Sequence, residues 1–149
     1  VSAAAAARLV DAGPLAYGDA RAVALAPDDG LRAQFLVQAN TEADDDVPHT
    51  PESVTRGVAA ALRVAESLAN VRSMALPSVG TGAARFAPAA LAPEILGAVA
   101  DHLAAGSYLE RVVFAFVDEA SHHAYARALD RLRRAAERGE AARRYAVHV

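Results

Sequence analysis

Leu76-Pro77-Ser78-Val79-Gly80-Thr81-Gly82-Ala83-Ala84-Arg85-Phe86 is the stretch on which the reading of this chain turns. Before it, Arg72 to Leu76 reads as a buried-type strand that Pro77 ends. After it, Pro88 to Ala104 reads as a long apolar helix. A loop between the carboxyl end of a strand and a helix lies where open α/β sheets place their ligand crevices. Two glycines one residue apart let the backbone turn sharply and bring N–H groups against a ligand with no Cβ between. Successive N–H groups make an anion nest, and the positive end of the following helix adds to it, so phosphate is the natural occupant. Two common phosphate loops are excluded. A dinucleotide fingerprint wants glycine where Arg85 stands, and a P-loop wants Gly-Lys-Ser/Thr in a chain that has no lysine. Alone, Gly80-x-Gly82 is equally what a tight turn uses.

Working outward, Thr50-Pro51-Glu52 opens a helix, with Thr50 as N-cap and Pro51 at its first position. Val54, Val58, Ala61, Leu62, Ala65 and Leu68 follow at helical spacing and form one apolar face. Leu109 to Val117 is the strongest strand, apolar on nearly every residue, as expected for the middle of a sheet covered on both faces. Asp118 to Arg138 reads as an arginine-rich amphipathic helix, and Arg144 to Val149 as a short terminal strand. Upstream, Ser2 to Asp11 reads as helix, closed by Gly13-Pro14. Arg21 to Ala26 and Gln34 to Gln38 read as two strands joined by the turn residues Pro27-Asp28-Asp29-Gly30. Thr41 to His49 is an acidic surface loop. Strand and helix alternate from residue 70 onwards, the pattern of an α/β layered domain.

Composition narrows the function classes. The chain has 149 residues, one domain's length, and 54% hydrophobic with 22% charged residues is a globular balance. With no cysteine there is no disulfide, zinc finger or thiol nucleophile. All fifteen basic residues are arginine, so no Schiff-base or kinase lysine exists. A net charge of −3 gives no footprint of a nucleic-acid binder. No apolar run approaches a membrane span, so the expected protein is cytoplasmic, with no membrane partner. Asp44-Asp45-Asp46 with His49 lacks calcium-loop spacing and reads as a solvated loop. His122 and His123 are adjacent and diverge on a helix, so no metal site is expected. Ser78 has no nucleophile elbow around it. Arg127, Arg131, Arg134 and Arg138 form a basic stripe that reads as a solvated face.

Three segments together resemble the macro domain, an ADP-ribose-binding module of the Appr-1-p processing type. Gly13-Pro14-Leu15-Ala16-Tyr17-Gly18-Asp19-Ala20 is similar to the family's Gly-Pro-Leu…Gly-Glu-Ala approach to a strand. Ser73-Met74-Ala75-Leu76-Pro77-Ser78-Val79-Gly80-Thr81-Gly82 is similar to its Ile-Ala-Phe-Pro-x-x-Gly-Thr-Gly strand and loop. Val112-Val113-Phe114-Ala115-Phe116-Val117-Asp118, with Tyr125 after it, resembles its last core strand and final helix. The resemblance implies a three-layer α/β/α domain with a mixed central sheet that binds ADP-ribose or a related nucleotide diphosphate. It also implies that an ADP-ribosylated protein is a partner, and that no cofactor is needed. Ser78 to Phe86 would wrap the diphosphate and distal ribose, with the amides of Val79, Gly80, Thr81, Gly82, Ala83 and Ala84 as donors. Phe86 would pack on the distal ribose, or be a core aromatic that anchors the next helix. Asp118 would lie on the adenine side, or cap the last helix. Arg85 stands where the family's loop has glycine.

The family begins with two strands that carry an adenine-reading Asp, then an Asn-Ala-Ala-Asn motif and a Gly-Gly-Gly-Val loop. Val1-Ser2-Ala3-Ala4 resembles the continuation of that loop, so the expectation is a single macro-like domain over residues 1–149 that lacks its first strands and first ligand loop. The implied activity, ADP-ribosyl hydrolysis or deacetylation of O-acetyl-ADP-ribose, leans on that loop, and no catalytic residue is assigned. The alternative is a non-catalytic structural or protein-interaction α/β domain whose glycine loop is a turn.

Overall fold

The computed structural model describes residues 3–42, 49–82, 86–137 and 147–148. In order they form α1 (Ala3–Asp11), β1 (Ala20–Ala24), a 3₁₀ turn (Pro27–Asp29), β2 (Phe35–Ala39), α2 (Pro51–Ser67), β3 (Ser73–Leu76), α3 (Pro88–Ala104), β4 (Arg111–Phe114), α4 (Glu119–Glu137) and β5 (Val147–His148). Pairing is mixed and falls into two ladders. β1 and β2 are antiparallel, with Ala22 opposite Val37. β3, β4 and β5 are parallel, with β4 in the middle, Met74 opposite Val112 and Val112 opposite Val147. The hairpin expected around Pro27–Gly30 and the central place of the Val112–Phe114 strand are both present.

The helices start and stop where local chemistry dictates. Thr50 Oγ1 accepts the Ser53 N–H at 3.3 Å and Ser53 Oγ accepts the Thr50 N–H at 3.2 Å, a reciprocal cap that satisfies two donors of the first turn. Pro51 sits at the first helical position, where no N–H is needed. α1 is tied to the turn before β2 by the Arg8–Asp29 ion pair, and the buried Asp29 carboxylate also accepts the Ala26 N–H at 2.7 Å.

One apolar core joins α2, α3, α4, β3 and β4. It contains Val54, Val58 and Leu62 of α2, Leu91, Ile95, Leu96 and Val99 of α3, and Ala124, Tyr125 and Leu129 of α4. Leu76, Val112 and Phe114 supply the sheet's contribution. The expected apolar face of α2 is buried from Val54 to Ala65, while Leu68 is half-buried.

Two strand expectations are corrected. β4 does not bury both faces: Val112 and Phe114 enter the core, Val113 is half-buried, and beyond the strand Val117 is fully exposed. β3 likewise alternates, with Leu76 buried but Ser73 and Ala75 exposed. The reason is the period of two in a strand, with the core helices taking the side chains of one face. The terminal-strand expectation is met at Val147 and His148, and residues 144–146 and 149 lie outside the described residues. Arg127, Arg131 and Arg134 are exposed, as a solvated stripe should be, while Arg138 lies outside the described residues.

Candidate functional site

The loop after β3 is built from the inside out. Gly80 takes φ +80°, and a Cβ there would lie 3.2 Å from both Leu91 methyls and 3.2 Å from a Val54 methyl. Both neighbours are wholly buried, so α2 and α3 clamp the loop at the one residue that needs a left-handed conformation and no side chain. Gly82 is different: its φ is ordinary, it is exposed, and none of the described residues lies within 4 Å of a Cβ built there. The sequence showed two equivalent glycines; the geometry makes the first structural and leaves the second open.

Hydroxyls fix the rest of the turn. Thr81 Oγ1 donates to the Ser78 carbonyl at 2.9 Å and lies 3.2 Å from Ser78 Oγ. Ser78 Oγ meets the buried Ser121 Oγ at 3.1 Å, which fastens the loop to α4. The Val79 N–H is used within the turn, on the Pro77 carbonyl at 2.9 Å, and the Phe86 N–H closes the loop on the Gly80 carbonyl at 3.2 Å. Among the described residues no acceptor meets the N–H of Gly80, Thr81 or Gly82. Three successive amides are therefore left unpaired on a loop held rigid by its neighbours, which is the chemistry of an anion nest.

The other expected site residues fall around this nest. Val79 is half-buried and packs on the core. Phe86 also packs on the core and stacks on His49, ring centroids 4.9 Å apart. Asp118 accepts the Ser121 N–H at 2.7 Å and so caps α4. Donation from the Ser121 backbone, then from its side chain, holds the Asp118 carboxyl below its ordinary value. Ala83, Ala84 and Arg85 lie outside the described residues, as do Asp44, Asp45 and Asp46. Phe116 packs against Tyr125 at 4.6 Å between centroids and belongs to the core's edge. His122 and His123 are both exposed and their rings are tilted, and no metal-ligating group of three exists among the described residues. Among the described residues no helix is long and apolar enough to cross a membrane.

Sequence reading missed two participants. Ser121 is a lone serine on a helix, and only the fold brings it under Ser78. His49 was weighed as a cation ligand and instead stacks on an aromatic ring. Upstream, the Gly13–Ala20 segment is stitched to the rest of the site's wall. Asn40 Nδ2 donates to the Leu15 carbonyl at 2.9 Å, Tyr17 OH donates to the Ser53 carbonyl at 2.9 Å, and the Arg56 guanidinium lies 5.4 Å from the Tyr17 ring centre.

No protein-family model and no curated protein sequence matches the chain. Its structure is similar to solved structures of the Oceanobacillus iheyensis macrodomain. One mutant matches at a TM-score of 0.69 and 16% identity, over 85% of this chain and 65% of that one. A second mutant, solved with ADPR, matches at 0.70 and 16%, over 86% and 67%. The macrodomain with MES bound matches at 0.66 and 18%, over 86% and 66%. This chain thus spans about two thirds of the length of those structures. At this identity the likeness is one of fold, and the chain has the macrodomain fold.

Proposed function

We propose that this chain binds ADP-ribose, with the diphosphate seated on the N–H groups of Gly80, Thr81 and Gly82. The observation that carries the reading is the run of three unpaired amides on a loop whose first glycine is locked between Leu91 and Val54. Unpaired amides on a loop already fixed by its packing bind an anion without the cost of ordering that loop. The fold supports the choice of ligand, since one solved structure that shares it was determined with ADPR. In this reading Ser78 and Val79 shape the turn, while Ala83, Ala84 and Arg85 continue the wrap. Phe86, already stacked on His49, offers an apolar ring to the distal ribose. Asp118 borders the adenine side. The ligand in its biological form is ADP-ribose carried on a protein.

Binding rather than turnover is what the described residues support. The hydroxyls at the loop bond to one another, and the nearby Asp118 carboxylate is engaged in capping α4. Such groups position a ligand but do not offer an idle general base. Release of ADP-ribose from a mono-ADP-ribosylated protein is accordingly expected to be absent or very slow, and rapid release by the purified 149-residue chain would contradict this.

Titration calorimetry tests the binding itself. The chain is expected to give saturable heat with ADP-ribose. Gly82→Ala should bind alike, because φ there is ordinary and the space is open. Gly82→Glu should lose at least tenfold in affinity, because a carboxylate beside the nest repels the diphosphate. No heat from the parent chain, or equal affinity in Gly82→Glu, would overturn the reading.

A further inference from the structure

Two rings meet where the glycine loop ends. The His49 imidazole and the Phe86 phenyl ring lie with centroids 4.9 Å apart and planes 24° from parallel, one face on the other. Phe86 is half-buried and packs on the core, whereas His49 is exposed. A group that approaches Phe86 across this face therefore meets imidazole and not phenyl. Among the described residues neither ring nitrogen of His49 has a hydrogen-bond partner.

The backbone ties both rings to the three unpaired amides. His49 directly precedes Thr50, whose reciprocal cap with Ser53 fixes the start of α2. One turn further on, a Val54 methyl closes against Gly80. From the other direction, the Phe86 N–H bonds the Gly80 carbonyl at 3.2 Å. His49 and Phe86 thus reach the same glycine by two separate short paths, and the stack joins those paths. The fold does not need the imidazole for this: Leu91 and Val54 already clamp the loop, and an exposed ring adds little to the core. What the imidazole adds is a polar edge with a donor and an acceptor, beside a site for a diphosphate.

We propose that His49 is a specificity-determining residue, which makes the site prefer a diphosphate that carries a sugar diol over one that ends at phosphate. The proposal deepens the ADP-ribose reading and rests on it. A neutral imidazole has one N–H donor and one acceptor nitrogen. A vicinal diol answers both, because each hydroxyl can donate or accept. The terminal phosphate of ADP accepts but does not donate, so one imidazole nitrogen goes unanswered, while the bonds to the three amides are kept. A site that hydrogen-bonds a hydroxyl rejects the analogue without it more strongly than an apolar pocket does. Phe86 borders the sugar and also backs the imidazole, holding it in one orientation.

Titration of the 149-residue chain, His49→Ala and His49→Phe with ADP-ribose and with ADP tests this. The parent is expected to prefer ADP-ribose. His49→Ala should weaken ADP-ribose by about fivefold or more and ADP by less than about twofold. His49→Phe keeps a ring on Phe86 but has no nitrogen, and should lose the preference equally. The imidazole resonances of His49 should shift with ADP-ribose and stay in place with ADP. Gly80, Thr81 and Gly82 amides that still shift with ADP in both variants would show that the nest is intact. No binding of either ligand by the parent would overturn the ADP-ribose reading, and this proposal with it. ADP-ribose bound through the three amides, with the same preference in all three proteins, would overturn the role of His49 alone. So would full affinity in His49→Phe, or a gain in His49→Ala, since the imidazole would then occupy the ligand's place.

Discussion

At Gly80 the backbone needs a left-handed conformation and the core leaves no room for a methyl group, so two penalties act at one residue. Gly80→Ala is expected to cost about 1–3 kcal/mol in urea unfolding, and Gly82→Ala close to nothing. Equal effects would show that the loop is not clamped by Leu91 and Val54. Tyr125 offers a second test at this scale. Its side chain is wholly buried, its hydroxyl has no hydrogen-bond partner among the described residues, and burial pushes its pKa up to about 12. Tyr125→Phe removes an unsatisfied buried group without a cavity and is expected to raise stability by about 1 kcal/mol. A loss of stability would mean that the hydroxyl is satisfied after all. The residue-level features of the site were only half legible in the sequence. Glycine spacing announces a tight loop that can cradle an anion, because only glycine combines both freedoms. It does not say which glycine is clamped, since that depends on methyl groups 26 and 11 positions away in the chain.

Among the elements, helix limits were the most legible feature. Proline and a capping threonine act within one turn, so α2 and α3 begin where the sequence places them. Strand exposure was not legible, because the run from Val112 to Val117 is apolar throughout and only the packing of α3 and α4 decides which residues are covered. Long-range polar contacts were equally hidden. Glu66 near the end of α2 accepts from Ser107 Oγ, from the Tyr108 N–H at 3.0 Å and the Leu109 N–H at 3.4 Å, and lies 3.3 Å from His102 Nε2. Burial pushes its pKa up, but these donors together outweigh burial and hold the carboxyl below its ordinary value. A group whose folded pKa is depressed adds stability above its unfolded pKa and loses it as pH falls through the folded one. The tie between α2 and the Ser107–Leu109 loop that precedes β4 should therefore weaken in acid, below the ordinary carboxylate range. Glu66→Gln should be less stable at neutral pH and show a flatter acid limb in thermal melts. An acid limb identical to that of the parent would remove Glu66 from the account.

For the whole molecule, the fold was legible although identity to the solved structures is only 16–18%. Strand, glycine loop, helix and final strand–helix pair follow one another along this chain, and each is fixed by local pattern. The division of the sheet was not legible, because pairing between distant edges is a property of topology rather than of any one segment. The proposed binding rests on one arrangement: α2 and α3 grip Gly80, α4 holds Ser78 through Ser121, and three successive amides meet no acceptor among the described residues. The most direct test is a ¹H–¹⁵N titration of the 149-residue chain with ADP-ribose. The amide resonances of Gly80, Thr81 and Gly82 are expected to shift together and downfield, to saturation on a single binding curve, as hydrogen bonds to phosphate form. Saturable binding that leaves those three amides unmoved, or no binding at all, would contradict the account.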